Sequence, residues 1–342
     1  MDEKHNDSPK SIFGLASLKP MPKFTSLHYL PFDVDVIRSR LKDIPQISFS
    51  ELSALYYINE GAACQVYQTR YRNKEYALKM LKPRGSFDSE EDWRLGQSEL
   101  QHEAVLLSTL KHPNIVRLEG EGLDAERPFL LLELIDGDSL WRMLHSNRRR
   151  LRSQHEVVSV ALQLASALSY LHARNVAHRD VKSSNLMLDR GANAKLIDFG
   201  LAREVPRDGR MTPCTGSYRW AAPENLRGEA YGLGCDVYSF GVVLWELVTG
   251  ELPFHLLSGP QLADAVANRH LRLPPLQEGG NCSPELAAMV VECTADEAAQ
   301  RPTFEHLVQR LTVLFDAPEP PSTGLFCSLS AIFRSVFLTH LW

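Results

Sequence analysis

The stretch His178-Arg179-Asp180-Val181-Lys182-Ser183-Ser184-Asn185 gathers one carboxylate, two permanent cations and an amide into a single short run. Eighteen residues after Asp180 comes Asp198-Phe199-Gly200, and twenty-four after Asp198 comes Ala222-Pro223-Glu224. Upstream lie Tyr76-Ala77-Leu78-Lys79 and, on a segment of helical periodicity, Glu103. Taken singly, each has an ordinary explanation. Asp180 could cap a helix, and a Lys79–Glu103 pair could be a surface ion pair of little consequence. An ordered set at these separations is much harder to obtain by chance.

Working outward, the chain divides by periodicity. From Ile47 to about Leu81, short β-branched and aromatic runs such as Cys64–Thr69 and Tyr76–Met80 read as strands. A helix follows, with Leu100, Ala104, Leu107 and Leu110 on one face, then two more strand-like runs, Ile115–Leu118 and Phe129–Ile135. Past a linker near Leu134–Asp138 the pattern turns helical. Ser153 with Glu156 has the form of a capping box ahead of Val157, Val160, Ala161, Leu164, Leu168 and Leu171. Val237–Val248 is apolar nearly all round, as in a helix buried at the centre of a lobe. Ser283-Pro284-Glu285 supplies an N-cap, a proline at the first helical position and an acidic first turn.

The expected fold class is therefore α+β, a small sheet-rich lobe holding one helix followed by a larger helical lobe. Residues 1–46, rich in proline, read as a disordered leader with one short helix near Val34–Leu41, and 316–342 as a tail. Net charge is −5, from 37 Lys and Arg against 42 Asp and Glu, so no basic field points to nucleic acid. Six cysteines without a C-x-x-C pair fit a reducing, cytoplasmic setting, and no stretch suits a transmembrane span.

With these motifs in register, residues 47–315 resemble the protein kinase superfamily, which implies a bilobal fold with a small antiparallel sheet lobe over 47–134 and a larger helical lobe over 138–315. The runs Ile47-Ser48-Phe49-Ser50-Glu51-Leu52, His112-Pro113-Asn114-Ile115-Val116 and Gly216-Ser217-Tyr218-Arg219-Trp220 resemble its tyrosine-kinase-like serine/threonine group, of mixed-lineage and plant or protist type. The resemblance implies transfer of the ATP γ-phosphoryl group to Ser or Thr hydroxyls of protein substrates, with Mg²⁺ and in intracellular signalling. It makes Asp180 the acceptor of the substrate proton, Lys182 a neutraliser of γ-phosphate charge, and Lys79, steadied by Glu103, the cation at the α/β-phosphates. Asn185 and Asp198 become the magnesium ligands, in keeping with that ion's preference for hard oxygen. Val66, Ala77 and Leu186 would enclose the adenine, backbone groups of Glu133 and Ile135 would bond its edge, and Ser139 would face the ribose. Leu132 would stand behind the adenine, and His178 would be structural. Glu224 with Arg301 matches the family's buried ion pair, and Asp236 its support for the catalytic loop.

Two departures stand out. Where the family writes G-x-G-x-x-G-x-V over the phosphates, this chain has Asn59-Glu60-Gly61-Ala62-Ala63-Cys64-Gln65-Val66, keeping only Gly61. Weaker ATP binding or slower turnover is expected, and the rival reading is a pseudokinase that binds without turnover. Ala221 stands where relatives carry methionine. Lys182-Ser183-Ser184 favours serine/threonine over tyrosine specificity, with dual specificity as the alternative. Arg179 beside Asp180 would pair with a phosphate on Thr212, Thr215 or Ser217. In the tail, Leu325, Leu329, Ile332, Phe333, Val336, Phe337 and Leu341 share one helical face, so 325–341 would lie on a membrane surface, dock on a protein, pack on its own domain or form a poorly ordered end.

Overall fold

The computed structural model describes residues 42–147, 151, 153–206, 211, 217–277, 279 and 282–317. The expected helix near Val34–Leu41, the tail segment 325–341, Thr212 and Thr215 lie outside the described residues.

The first lobe is a five-stranded antiparallel sheet in the order β1-β2-β3-β5-β4. Its strands are β1 (Ser53–Glu60), β2 (Cys64–Tyr71), β3 (Lys74–Leu81), β4 (Leu118–Asp124) and β5 (Arg127–Glu133). Helix α1 (Glu90–Thr109) lies between β3 and β4 in sequence. Ser89 caps it by accepting the Asp92 N–H at 3.1 Å, and Glu90, Glu91 and Asp92 fill its first turn, where the helix dipole favours negative charge. Alternation along β3 sorts the side chains. Tyr76, Leu78 and Met80 enter an outer cluster with Ile47, Phe129 and Leu131, while Leu81 joins Leu130, Leu132, Leu100, Ala104 and Leu107 in the main core. Lys79 shares parity with Leu81 and so points to the α1 side.

Two expectations require correction. Chain contacts begin before 47: Ile44 is buried, Pro45 O accepts the Glu121 N–H at 3.0 Å, and Ile47 N donates to Glu121 O at 2.8 Å. Residues 44–52 thus form a strap over the sheet, carrying Phe49 and Leu52 onto its outer cluster. The strand expected at Ile115–Leu118 begins only at Leu118. Ile115 instead bridges Leu196 of the second lobe.

That lobe begins after β6 (Gly137–Ser139) and a π-type turn, Arg142–Ser146. Helix α2 (Gln154–His172) follows, capped by Ser153, which accepts the Glu156 N–H at 3.3 Å. Short strands β7 (Val176–Ala177), β8 (Leu186–Asp189), β9 (Ala194–Leu196) and β10 (Arg203–Glu204) lie around the segment 178–185, and β6 pairs with the β8–β9 hairpin. Then come α3 (Pro223–Leu226), α4 (Gly234–Thr249), α5 (Gly259–Asn268), α6 (Pro284–Cys293) and α7 (Phe304–Asp316). Every residue of α4 from Cys235 through Leu247 is buried, as its unbroken apolar run implies, and Gly250 ends the helix at φ 66°. Ser283 caps α6 by accepting the Leu286 N–H, with Pro284 in the first turn.

Candidate active site

The fold brings Lys79, Glu103 and Asp198 together from three elements. Lys79 Nζ lies 2.6 Å from Glu103 Oε2 and 2.7 Å from Asp198 Oδ1. The other Glu103 oxygen accepts the Phe199 N–H at 3.2 Å, which ties α1 to the segment bearing Asp198. Burial alone would make Lys79 less basic, but the two carboxylates outweigh it and hold the ammonium well above its ordinary range. Conversely, the Lys79 charge holds the Asp198 carboxyl down at about 2. Asp198 also sits at φ 64°, a left-handed conformation that aspartate tolerates better than most residues.

A second cluster surrounds Asp180. Lys182 Nζ donates to Asp180 Oδ2 at 2.6 Å, and Asn185 Nδ2 donates to the same oxygen and to Asp180 O, both at 2.9 Å. The backbone here is suspended from α4: Asp236, fully buried, accepts the His178 N–H and the Arg179 N–H at 2.8 Å each and contacts His172 Nε2 at 3.0 Å. This arrangement holds Arg179 at φ 69°. His178 is buried with its ring edge-on to Phe199, and its Nε2 is 3.2 Å from Ile197 O, so it supports the loop from beneath.

Of the residues expected around the adenine, Val66 and Ala77 are half-buried on neighbouring strands, and Leu186 and Leu132 are buried. Gly61 closes the β1–β2 turn by donating to Cys64 O at 2.8 Å. The Cys64 thiol is buried in the core, and that burial pushes it up to about 12. The Glu133 side chain accepts from Lys195 Nζ at 2.6 Å and Arg117 N at 2.9 Å. The Ile135 carbonyl takes the Gly137 N–H at 2.9 Å. Ser139 Oγ accepts the Arg142 N–H at 3.2 Å, a capping role alongside its expected place near the ribose.

Beneath the cluster, Arg301 grips Glu224 through two bonds of 2.6 and 2.8 Å, both groups buried. Three further residues were not singled out for the roles that the structure gives them. Ser217, considered only as a phosphate carrier, donates to Asp180 Oδ1 at 3.3 Å and accepts from Lys182 Nζ at 3.0 Å. Tyr231 OH accepts Arg179 Nε at 2.7 Å. Glu246, fully buried, lies 2.6 Å from His145 Nε2 and accepts from Ser183 Oγ at 2.6 Å and Trp220 Nε1 at 3.0 Å. Of the three, only Glu246 had a sequence signal: a carboxylate inside an apolar run must find partners.

Comparison with known proteins agrees with this geometry. The sequence profile of the protein kinase domain matches residues 54–312. A probable serine/threonine-protein kinase of Dictyostelium discoideum is 37% identical over 78% of this chain and 28% of its own length. The Arabidopsis thaliana serine/threonine-protein kinase STY46 is 32% identical over 87% of this chain and 51% of its own. The serine/threonine/tyrosine-protein kinase HT1 of the same plant is 34% identical over 76% and 66% respectively. The chain thus spans from about a quarter to two thirds of these relatives' lengths.

Proposed function

Because this chain belongs to the protein kinase family, we propose that it is an active serine/threonine kinase of the tyrosine-kinase-like type, transferring the ATP γ-phosphoryl group to protein hydroxyls. The observation that carries the reading is the convergence of Lys79, Glu103 and Asp198 in one cluster and of Asp180, Lys182 and Asn185 in another.

In this reading an acceptor hydroxyl lies between Asp180 and Lys182, its oxygen attacks the γ-phosphorus, the bond to the β-phosphate oxygen breaks, and Asp180 takes the proton. Ser217 supports the idea, since its hydroxyl already donates to Asp180 and accepts from Lys182. Lys79 offers its charge to the α/β-phosphates, and Glu103 keeps the flexible stem from wandering.

Asn185 and Asp198 fit a magnesium site. The Asn185 Nδ2 is committed to Asp180, which turns the amide oxygen the other way, and Asp198 stays ionised across the neutral range. Both are hard oxygen donors, and magnesium accepts few protein ligands alongside substrate phosphates. When bound, the ion supplies neutralisation of phosphate charge.

A non-catalytic, kinase-shaped module has only the altered phosphate loop in its favour, against six intact polar positions. The loop instead implies weaker nucleotide affinity, with Gly61, Val66, Ala77, Leu186, Glu133, Ile135 and Ser139 as its remaining contacts. The name of the relative HT1 keeps tyrosine acceptors as a second reading. Arg179 is proposed to receive a phosphate on Thr212 or Thr215, exchanging its Tyr231 partner for a stronger anion. The lack of any C-x-x-C pair among the six cysteines of the sequence supports a cytoplasmic setting. Mass-spectrometric phosphotransfer with Mg-ATP, beside Asp180→Asn and Asp198→Asn, tests the whole proposal. Wild-type incorporation on Ser or Thr with a loss of about 10²–10⁴-fold in Asp180→Asn is expected. Equal incorporation in all three proteins would refute it.

A further inference from the structure

Gly96 lies in the second turn of α1, where glycine weakens a helix and therefore calls for a steric reason. A Cβ added there would stand 3.1 Å from Ala63 Cβ, 3.1 Å from Leu81 Cδ1 and 3.4 Å from Phe87 Cε1. Ala63 ends the turn between β1 and β2, and its carbonyl accepts the Lys82 N–H at 2.9 Å. Cys64, standing where the resemblance expects a glycine, buries its side chain in the core that also holds Leu81 and Trp93. The side chains at 63 and 64 therefore face into the lobe, one onto α1 and the other into the core beside it.

We propose that Ala63 and Cys64 fasten the β1–β2 turn to α1, so that turn and helix move as one body, with Gly96 as the positioning residue that admits the contact. Glu103 lies seven residues beyond Gly96, close to two turns along the same helix. Seating of the turn is thereby coupled to the Lys79–Glu103 pair. A loop poor in glycine keeps its place through side-chain packing instead of through contacts made only when a triphosphate is present. The importance of this for catalysis rests on the kinase reading, whereas the contact itself does not.

The test is a double-mutant cycle on Ala63→Gly and Gly96→Ala, read by amide hydrogen exchange of residues 61–64 in the nucleotide-free protein. Each single change should speed exchange on the order of tenfold, within the range of coupled neighbours, and the double variant should be no faster than the faster single one. Multiplying effects would overturn the proposal. Dissociation constants for a fluorescent ATP analogue with Mg²⁺ should show the same non-additivity. A wild-type protein that binds no nucleotide would sink the kinase reading, while exchange would still decide the contact. If Gly96→Ala loosens the whole lobe, Ala63→Gly alone decides. It must speed exchange in α1 near residues 94–98 as well as in the turn, and acceleration confined to the turn would refute the coupling.

Discussion

Lys79 sits between two carboxylates, and the charge it places beside Asp198 lowers that carboxyl from 3.8 to about 2. A depressed carboxyl stabilises the folded state above its unfolded value. The Asp198 contribution should therefore be complete above about pH 4 and fade as pH falls through about 2. In Lys79→Met the Asp198 titration, followed by carbon-13 carboxyl NMR, should move back up towards 3.8, because the largest lowering cause is gone and burial is then opposed only by the lesser charges of His178 and Lys182. A midpoint still near 2 would contradict the assigned cause. Cys64 behaves oppositely, for burial raises its thiol to about 12. At pH 8 it should resist iodoacetamide in native protein and react only after unfolding, as mass spectrometry would report. Polar residues at regular motif spacing were readable from sequence: the structure gathers Lys79, Glu103 and Asp198 in one cluster and Asp180 and Asn185 in another. Ser217 and Tyr231 were not, because their roles depend on partners 37 and 52 residues away, across a turn of the chain that no local pattern encodes.

Among the elements, α4 shows why some strands and helices could be read and others could not. Its apolar run announced a central helix, and Ser153 and Ser283 announced the starts of α2 and α6. β4 reads Leu-Glu-Gly-Glu-Gly-Leu-Asp, a composition poor in strand formers, so the strand was expected too early, on the apolar run 115–118 that precedes it. Its glycines answer to the strap. A Cβ on Gly120 would stand 2.5 Å from Pro45 O, and one on Gly122 would stand 2.2 Å from Ile47 O. A similar close approach joins α4 to α6, where a Cβ on Gly241 would lie 2.6 Å from Cys293 Cβ. Gly241→Ala should cost about 1–3 kcal/mol in denaturant unfolding through overpacking. Glu224→Gln, which leaves the Arg301 guanidinium buried without its counter-charge, should cost about 3–5 kcal/mol. Wild-type stability in either variant would show that the packing or the pair is dispensable.

At the scale of the whole molecule, polar bonds such as Lys79 to Asp198 and Glu133 to Lys195 join the two lobes, and one apolar core runs through both, from Leu81 and Leu100 to Leu164 and Phe240. No helix among the described residues is long and apolar enough to cross a membrane. The strap gives the smaller lobe a second interior, on the side of the sheet turned away from α1. The profile match begins at residue 54, beyond the strap's last residue. A polypeptide trimmed to start there would uncover Tyr76, Leu78, Met80, Phe129 and Leu131, which are almost wholly shielded in the intact chain. A contiguous bare apolar face of this kind drives self-association. Light scattering should find the trimmed protein aggregating at concentrations where the 342-residue chain stays monodisperse, and adding back residues 44–53 should cure it.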